Sequence, residues 1–419
     1  MEIATIILAA GQGTRLNSAL PKPLHHIGGR PMLAWSLDAA KAAAASRVVT
    51  VLPKESDSII EWLDGQETCI QDSPKGTGHA VKAAKEQLAN FHGVVLIMFA
   101  DTPLVTAKTL AALAAAVTDG SDIAVLGFEA TNPAGYGRLV IGADQCLEKI
   151  VEHTDATKTE RAITLVNGGV MAVRCPLLFD LLEEVKPDNA RSEFYLTDIV
   201  AIATAKALAV TYRTTDEQEI AGVNCRQDLA YIEAILQDRL RNSAMDQGVT
   251  IRAPETVFLS ADISFGRDVI IEPHVVIGAG TVIGDGSIIK SFSHIEGTVI
   301  GSGCIIGPYA RLRPGTNAGD GAKIGNFVET KNAKIGAGSK ANHLTYLGDT
   351  TIGTGANIGA GTITCNYDGF DKFKTLIGDR ASIGSNTALV APVSIGAGAI
   401  IGAGSTITAD VPSNAIATT

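Results

Sequence analysis

Cysteine, aromatic residues and charge are all scarce in this chain of 419 residues. It has six cysteines, 5% aromatic residues and 19% charged residues. The cysteines are far apart, with no Cys-x-x-Cys pair and no histidine at zinc-ligand spacing, so they indicate reduced thiols rather than a disulfide framework or a zinc site. The low charge, together with 46% hydrophobic residues, excludes a disordered polyelectrolyte.

Long apolar runs and an excess of basic residues are also missing. The longest early apolar run, residues 3–10, is too short for a membrane span and wrongly flanked for a signal peptide. With 34 basic against 44 acidic side chains, the formal net charge is −10, which argues against general binding to nucleic acid or an anionic membrane. We therefore expect a cytoplasmic protein with neither partner, although a few local cations suffice to bind a phosphorylated small molecule.

Glycine divides the chain into two parts. Residues 1–250 contain 17 glycines, whereas residues 251–419 contain 27. The first part alternates short apolar runs with amphipathic stretches, which predicts a mostly parallel sheet covered by helices. Strands are predicted at residues 5–10, 48–53 and 94–99, and helices at residues 32–45, 79–88 and 108–117. Pro31 suits the first turn of the helix that follows it, and Thr106 is a candidate cap for the last helix.

The second part carries a repeat of six residues. Thirteen Ile-Gly or Leu-Gly pairs run from Ile277 to Ile401, and of the twelve steps between them eight are multiples of six. This period is the hexapeptide signature of a parallel β-helix, in which the apolar side chain fills the interior and small residues turn the corners. An ordinary antiparallel sheet is the alternative, but it has no reason to hold such a period.

A helix is predicted between the two parts. Residues 226–244 place apolar side chains at helical spacing. We therefore expect an N-terminal domain over residues 1–225, a linker helix over residues 226–248 and a β-helix domain over residues 249–419.

A glycine-rich loop follows the first predicted strand. Gly11 and Gly13 permit tight turns that can aim backbone N–H groups at an anion. The loop is not a Walker loop, because no Gly-Lys-Ser/Thr follows, and not a dinucleotide fingerprint, because Leu16 stands where a third glycine is required. Arg15 and Lys22 add cations that can neutralise a polyphosphate leaving group.

Asp101 follows the predicted strand 94–99, at the edge where open α/β sheets bind ligands. As a hard oxygen ligand it can hold Mg²⁺ against substrate phosphates, or it can simply cap the following turn. Gln71 and residues 76–79 form a second strand-end loop that leads into a helix. His79 in that loop fits a capping or core role.

Polar segments interrupt the hexads at residues 311–315, 326–331, 343–348 and 365–369. Residues 366–374 lie within a 19-residue step and are predicted to form a loop extruded from a coil. A scaffold this regular has no folding need for so many polar side chains, so we expect a second site here. His343 has the properties of a general base near neutral pH. Arg313 and Lys331 supply cations that suit an anionic ligand.

Several motifs of the first part resemble those of the nucleotidyltransferases that make nucleoside-diphosphate sugars. They are the loop at residues 8–16, GYGR at 135–138, IVEH at 150–153, VNGG at 166–169, EFYLTD at 193–198 and GVN at 222–224. With the hexapeptide repeats, residues 3–416 resemble the family of bifunctional N-acetylglucosamine-1-phosphate uridyltransferases and glucosamine-1-phosphate N-acetyltransferases. The resemblance implies an α/β fold with a Rossmann-like N-terminal domain and a left-handed β-helix, whereas the usual crossover rule alone gives a right-handed one.

The resemblance also implies two reactions. Acetyl-CoA would acetylate glucosamine-1-phosphate, and UTP with Mg²⁺ would then uridylylate N-acetylglucosamine-1-phosphate and release pyrophosphate. The product would supply peptidoglycan and lipopolysaccharide synthesis. A homotrimer is implied, with the acetyl-transfer site shared between subunits.

By the same resemblance, each role falls on residues of this sequence. Asp101 and Asn224 would hold Mg²⁺, and His343 would be the general base of acetyl transfer. UTP and the sugar would contact Leu8, Ala9, Ala10, Gly11, Arg15, Lys22, Gln71, Gly76, Thr77, Ala100, Gly137, Glu152, Asn167 and Asn224. The sugar phosphate of acetyl transfer would contact Arg313, Lys331, Tyr346 and Asn357. Acetyl-CoA would contact Ala360, Asn366, Tyr367, Ser385 and Ala403.

Two features depart from the family pattern. Phe99-Ala100 stands where the family usually has Tyr-Gly ahead of the aspartate, which removes a phenolic hydroxyl and adds a methyl group near the ligand. The sequence given stops at Thr419, whereas the family usually continues into a basic segment with an arginine that contacts coenzyme A.

Two other functions stay open at this stage. A nucleotidyltransferase whose β-helix serves only oligomerisation or regulation would have no use for His343. A non-catalytic assembly subunit would have no use for Asp101, Asn224, Lys22 and Arg15. Assays of coenzyme A release and of pyrophosphate release separate the three hypotheses.

Overall fold

The chain folds into two units, Met1–Ile235 and Leu236–Thr419, in a computed structural model that describes residues 1–143 and 145–419. Helix α7 (Arg226–Asp246) begins in the first unit and ends in the second; it was expected over residues 226–244. None of the helices among the described residues has both the length and the apolar run needed to cross a membrane.

The first unit is built on a nine-stranded sheet with parallel strands at its centre. Its strands, with the separate hairpin β2–β3, are β1 Glu2–Leu8, β2 His26–Ile27, β3 Arg30–Pro31, β4 Arg47–Pro53, β5 Thr68–Gln71, β6 Gly93–Phe99, β7 Ile123–Glu129, β8 Arg138–Ile141, β9 Leu147–Val151, β10 Leu165–Arg174 and β11 Val210–Thr214. The order is β11-β7-β10-β6-β1-β4-β5, and β8 pairs with both β10 and β9. Strands β6, β1, β4 and β5 are parallel, whereas β10 runs antiparallel to β6 and β7.

Helices cover both faces of this sheet. They are α1 Met32–Ala42, α2 Asp57–Leu63, α3 Thr77–Ala83, α4 Ala107–Thr118, α5 Leu177–Glu184 and α6 Asp198–Ala205. Alternate residues of β1 enter two apolar cores, with Ile6 in one and Ile7 in the other, because successive side chains of a strand point to opposite faces. The doubly covered parallel sheet confirms the fold class expected for this part.

Several helix boundaries differ from the predictions: the helix predicted at residues 32–45 ends at Ala42, and that predicted at residues 108–117 is one residue longer at each end. The helix predicted at residues 79–88 begins earlier and ends earlier, at Thr77 and Ala83. Pro31 lies just before α1 as its capping residue rather than inside its first turn. Thr106 caps α4 as predicted, because its hydroxyl oxygen accepts the backbone N–H of Thr109 at 3.2 Å.

The second unit is a parallel β-helix of short strands. They are β12 Thr250–Ile251, β13 Phe258–Leu259, β14 Ser264–Phe265, β15 Ile270–Ile271, β16 Val276–Ile277, β17 Val282–Ile283, β18 Ile288–Ile289, β19 His294–Ile295, β20 Val299–Ile300, β21 Ile305–Ile306, β22 Arg311–Leu312, β23 Asn317–Ala318, β24 Lys323–Asn326, β25 Glu329–Ile335, β26 Lys340–His343, β27 Tyr346–Ile352, β28 Asn357–Ile358, β29 Ile363–Cys365, β30 Thr375–Ile377, β31 Ser382–Ile383, β32 Ala388–Val390, β33 Val393–Ile395, β34 Ile400–Ile401, β35 Thr406–Ile407 and β36 Ile416–Ala417. A typical pairing joins Ile270 to Ile288, which is 18 residues or three hexads further on.

One step of the β-helix is longer than the others. Thr350 pairs with Thr375, a separation of 25 residues, so one coil carries seven extra residues. The excess lies between β29 and β30, which confirms the predicted loop at residues 366–374. The next step returns to 18 residues, from Thr375 to Val393.

The interior of the β-helix is filled as the hexads predict. Each of the thirteen apolar residues of the Ile-Gly and Leu-Gly pairs is at most 4% exposed, and burying one such side chain contributes about 1.5–3 kcal/mol. The following residue must be small because the next coil approaches it. At Gly384, for example, a Cβ atom would lie 2.4 Å from the backbone nitrogen of Ala403.

One corner of the β-helix carries a stack of rings that the sequence patterns do not predict. His274, Phe292, Tyr309 and Phe327 stack in successive coils with centroid separations of 5.0, 4.8 and 5.2 Å. Their φ angles of 56–62° lie in the left-handed region, which bulky residues rarely adopt. Leu344 continues the series with a φ of 49°.

Candidate active sites

A cavity of about 300 Å³ opens at the carboxyl ends of β1 and β6, the edge at which open α/β sheets bind ligands. Residues expected to bind UTP or Mg²⁺ that line it are Leu8, Ala9, Ala10, Gly11, Lys22, Gln71, Gly76, Thr77, Ala100 and Asp101. A second cavity of about 470 Å³ shares Gly11, Lys22 and Gln71 with the first. The two together offer room for an extended ligand.

Two glycines shape the first cavity through close approaches. A Cβ atom at Gly13, whose φ is +62°, would lie 2.7 Å from Cβ of Lys22. At Gly76, whose φ is +105°, a Cβ atom would lie 2.6 Å from the carbonyl oxygen of Phe194. Side chains at these positions would push Lys22 and the loop before α3 out of place.

Four polar side chains from distant parts of the chain meet beside the cavity. Lys22 Nζ donates to Asp101 Oδ2 at 2.5 Å and to Asn224 Oδ1 at 3.4 Å. Arg15 Nη2 donates to the same Asn224 oxygen at 2.9 Å. The Lys22 and Asp101 side chains are only 11% and 27% exposed, so water screens this ion pair incompletely.

The oxygens of Asp101 and Asn224 fit a magnesium ion. Both face the Lys22 ammonium, which shows that they can address one cation together. The described residues contain no group of three or more His, Cys, Asp or Glu side chains suited to a metal. Mg²⁺ tolerates so few protein ligands, because it keeps several waters and takes its other oxygens from substrate phosphates.

The residues expected to contact the sugar form a second group in the same unit. The backbone N–H of Asn167 donates to the carbonyl of Gly137 at 2.8 Å. A Cβ atom at Gly137 would lie 3.4 Å from Glu152 Oε1, so these three residues adjoin. Thr197 donates to Glu152 Oε1 at 3.1 Å, while burial raises the pKa of the Glu152 carboxyl.

Phe99 and Ala100 form part of the cavity wall. The backbone N–H of Ala100 donates to Leu8 at 3.0 Å, and Ala100 packs in an apolar core with 2% exposure. The Phe99 ring comes within 2.9 Å of the position that a Cβ atom would take at Gly169. The extra methyl group of Ala100 therefore lies mostly in the core, and the wall at Phe99 is apolar.

His343 in the second unit lies at the end of β26 with its side chain exposed. Its Nδ1–H donates to Oδ1 of Asn326, 2.8 Å away on the preceding coil. Since an amide oxygen only accepts hydrogen bonds, this contact uses the Nδ1–H group of the ring and leaves Nε2 to face a substrate. A neutral imidazole with a free nitrogen is the form that a general base requires.

A cluster of cations lies on the coils around this histidine. Arg313 Nη1 donates to Glu329 Oε1 at 2.9 Å, and Glu329 pairs in register with Tyr346. A side-chain hydrogen bond with Lys372 lowers the pKa of Lys331, and the charges of Lys372 and Arg313 lower it further. We call Arg313, Lys331 and Lys372 the cation cluster. The cluster also faces the carboxylates of Glu329 and Asp349, and its three cations leave an excess of positive charge that favours a bound anion.

The extruded loop is tied to its coil where it begins. Asp349 Oδ2 accepts from Asn366 Nδ2 at 2.5 Å, and Oδ1 accepts from Asn332 Nδ2 at 2.7 Å. Tyr367 hydroxyl donates to Gly369 at 2.6 Å within the loop. A Cβ atom at Gly348 would lie 2.4 Å from the Tyr346 hydroxyl oxygen, so glycine there makes room for the phenol.

The residues expected along acetyl-CoA form a column. Ala360, Ser385 and Ala403 follow the paired strands β28, β31 and β34 by the same offset. The backbone N–H of Asn386 donates to the carbonyl of Ala360 at 2.7 Å, and that of Gly404 to the carbonyl of Ser385 at 2.7 Å. Asn357, expected at the sugar phosphate, is exposed on β28 of the same region.

Sequence analysis did not single out Lys372, Asp349 or Asn326. Lys372 lies in the predicted loop and Asn326 in one of the polar segments, so the patterns locate the segments but not the partners. Asp349 follows the segment at residues 343–348 by one position. Only the pairing of neighbouring coils shows what these side chains contact.

Family comparisons match both parts of the chain. Residues 5–167 match the MobA-like NTP transferase domain. Residues 262–297 and 374–409 match the bacterial transferase hexapeptide family of six repeats. The two matches fall on the parallel sheet and on the β-helix, respectively.

Similar proteins cover nearly the whole chain. The bifunctional protein GlmU of Sphingopyxis alaskensis is 52% identical over 412 residues, which cover 98% of this chain and 91% of that protein. The GlmU proteins of Paramagnetospirillum magneticum and Bradyrhizobium sp. are 49% and 51% identical, and each alignment covers 99% of this chain and 93% of the relative. The chain therefore belongs to the family of the bifunctional GlmU proteins.

Proposed function

We propose that this chain catalyses two consecutive reactions in the cytoplasm, acetylation of glucosamine-1-phosphate and uridylylation of the product. Membership of the bifunctional family supports both activities. The observation that carries the proposal is that one chain holds two different sites. One is a cavity with cations and hard oxygens, and the other is an exposed histidine, held by Asn326, on the same β-helix as the cation cluster. The product, UDP-N-acetylglucosamine, would supply peptidoglycan and lipopolysaccharide synthesis.

Uridylyl transfer is assigned to the first unit. A phosphate oxygen of N-acetylglucosamine-1-phosphate attacks the α-phosphorus of UTP, and the bond to the β-phosphate breaks to release pyrophosphate. This chemistry needs alignment and charge neutralisation more than a protein nucleophile. Arg15 and Lys22 neutralise the leaving group, while Gly137, Glu152 and Asn167 hold the sugar.

Magnesium is assigned to Asp101 and Asn224. When bound, Mg²⁺ would neutralise the charge that develops on the phosphate oxygens. Lys22, which now contacts both oxygens, would then turn its ammonium to the phosphate chain.

Acetyl transfer is assigned to the second unit. His343 Nε2 takes a proton from the ammonium of glucosamine-1-phosphate, and the freed amine attacks the thioester carbonyl carbon of acetyl-CoA. The carbon–sulfur bond breaks, the departing thiolate takes the proton from the imidazolium, and the second proton that the nitrogen loses as the amide forms goes to solvent water. Asn326 holds the ring through Nδ1, and this hydrogen bond also stabilises the imidazolium.

At this site the sugar phosphate is assigned to charged and polar side chains, and acetyl-CoA to an exposed stretch of β-helix backbone. Arg313 and Lys331, with Tyr346 and Asn357, would bind the sugar phosphate, and Lys372 adds a third cation. Acetyl-CoA would lie along the column of Ala360, Ser385 and Ala403, with Asn366 and Tyr367 at the extruded loop. The column leaves backbone accessible because glycine and asparagine, rather than rings, occupy this part of the corner.

We also propose that the chain assembles as a homotrimer through the β-helix. His343 and the exposed rings of Phe292, Tyr309 and Phe327 lie on the surface of a single chain, and a neighbouring subunit would enclose them. Light scattering should give three times the chain mass. A monomer that acetylates at the full rate would contradict the proposal.

The two reactions should be separable. We propose that residues 1–225 and 249–419 form the two catalytic domains and that residues 226–248 link them. Glu233 Oε2 accepts the backbone N–H of Gly28 at 2.7 Å, so the uridylyl half needs the first turns of α7. A chain ending at Ile235 should turn over UTP, and failure to do so would refute the division.

The experiment that tests the whole proposal uses the full chain and both assays. Coenzyme A release is measured with acetyl-CoA and glucosamine-1-phosphate, and pyrophosphate release with Mg²⁺, N-acetylglucosamine-1-phosphate and each of the four nucleoside triphosphates. We expect both products, with UTP the best nucleotide. Pyrophosphate without coenzyme A release would leave a single nucleotidyltransferase, and neither product would leave an assembly subunit.

A further inference from the structure

The first turn of α7 borders the polar group of the uridylyl site, and one of its side chains has no part in the chemistry described so far. Asp228 is the third residue of α7. Its Oδ2 accepts the backbone N–H of Cys225 at 3.0 Å and that of Asn224 at 2.8 Å. An acidic residue at this position commonly reaches back to one N–H just ahead of the helix. The Asp228 carboxylate also accepts the N–H of Asn224, the residue before Cys225.

The same short segment is held from two other sides. The backbone N–H of Val223 donates to the carbonyl oxygen of Asp101 at 2.9 Å. Arg226 Nε donates to the carbonyl oxygen of Leu16 at 3.0 Å, at the end of the 3₁₀ turn Thr14–Leu16. The segment that carries Asn224 is therefore fixed to the Asp101 backbone on one side and to α7 on the other.

We propose that Asp228 is a positioning residue of uridylyl transfer. By holding the backbone of Asn224 and Cys225, it keeps the amide oxygen of Asn224 beside the carboxylate of Asp101, where both can address one magnesium ion. This inference rests on the proposed function of the site. Asp228 itself touches no reacting atom and acts through Asn224.

Removal of the Asp228 carboxylate leaves two N–H groups without their acceptor and frees the segment at Asn224. The amide oxygen then spends less time near Asp101, so the site binds magnesium more weakly. Loss of a residue that orients a metal ligand typically costs about 10–100-fold in metal affinity or activity. We expect Asp228→Ala to raise the Mg²⁺ concentration for half-maximal uridylyl transfer by about tenfold. Acetyl transfer should not change.

A purely structural helix cap is the alternative, and the chain offers a matched control. Thr106 caps α4 in the same unit but lies outside the polar group. Thr106→Ala should lower thermal stability and leave the Mg²⁺ requirement unchanged. Asp228→Asn keeps an acceptor oxygen at the same distance and should restore most of the wild-type Mg²⁺ dependence.

The test uses the full chain and three readouts. The first is the Mg²⁺ dependence of pyrophosphate release for the wild type, Asp228→Ala, Asp228→Asn, Thr106→Ala, Asn224→Ala and the double variant at 224 and 228. The second is amide hydrogen exchange at residues 222–226 without ligands. The third is the melting temperature. We expect Asp228→Ala, unlike Thr106→Ala, to speed amide exchange at residues 222–226. The double variant at 224 and 228 should have the same Mg²⁺ requirement as Asn224→Ala alone.

Two results would overturn the proposal, and they differ in what else they refute. If Asn224→Ala raises the Mg²⁺ requirement but Asp228→Ala only lowers the melting temperature, Asp228 is a helix cap and the metal site stands. If Asn224→Ala leaves the Mg²⁺ requirement unchanged, the proposed metal site itself fails, and the role of Asp228 fails with it.

Discussion

The two units place their polar groups in opposite ways. In the first, Lys22 and Asp101 lie partly buried at the end of a parallel sheet, inside a cavity formed by loops. In the second, His343 and the cation cluster lie on the outside of a repeating scaffold. The sheet creates a site at its edge through its topology, whereas the β-helix needs departures from its repeat, such as the extruded loop, to bring charges together.

The comparison predicts that a substitution at one site impairs only the reaction of that site. The largest effect is expected at His343. His343→Ala removes the base that deprotonates the ammonium, so acetyl transfer should slow by about 10²–10⁴ while uridylyl transfer stays unchanged. Coenzyme A and pyrophosphate release measure the two rates. His294→Ala, another exposed histidine of the β-helix, is the control and should change neither. An equal loss of both activities in the His343 variant would indicate misfolding.

The reverse experiment concerns Asp101. Asp101→Asn keeps the shape of the side chain but removes the charge proposed to hold Mg²⁺, so uridylyl transfer should fall by about 10² or more. Acetyl transfer should be unaffected. Asp119→Asn, which changes an exposed carboxyl just after α4, is the control and should change neither activity. A normal pyrophosphate rate at low Mg²⁺ would remove Asp101 from the metal site.

The extruded loop can be tested through its own cation. Lys372→Met should raise the KM for glucosamine-1-phosphate by roughly tenfold, because it removes one charge-assisted contact to the phosphate, with a smaller change in kcat. Lys374→Met, in the same predicted loop, should have little effect. Steady-state kinetics of coenzyme A release decide the matter, and equal KM values for both variants would count against the cation cluster.

The smallest effect concerns the stability of the first unit. Burial, with the charges of Glu152 and Asp155, raises the pKa of Asp198 to about 6. The folded state therefore binds this proton more tightly than the unfolded state, and stability falls as the pH rises from about 4 to 6. Asp198→Asn abolishes this ionisation, so its free energy of unfolding should exceed that of the wild type by about 1–3 kcal/mol at pH 7.5.

Denaturant unfolding at pH 4 and pH 7.5 measures this difference. At pH 4 the advantage of Asp198→Asn should shrink, since the wild-type carboxyl is then mostly protonated when folded. Asp180→Asn changes an exposed acidic residue in the first turn of α5 and should show no such pH dependence. An Asp198→Asn advantage that is the same at both pH values would contradict the shifted pKa.

Local patterns explain most of what the sequence predicts correctly. Six consecutive residues of a hexad are enough to predict which side chain lies in the interior. The cap at Thr106 is likewise predicted from residues of its own helix. The meeting of Arg15 with Asn224 joins residues 209 positions apart, and no local pattern encodes that distance. The stacked rings were missed for another reason, because sequence rules reserve left-handed corners for glycine and asparagine.

The single 25-residue step bears on how this scaffold changes over evolution. The coil that carries the seven extra residues regains its register at Thr375, and Ile377 fills the interior as its counterparts do. The entropy of closing a loop grows only with the logarithm of its length, so doubling it costs about 0.6 kcal/mol. Corners of the β-helix can therefore accept insertions at little cost to the fold, and binding groups can be added there without redesigning the core.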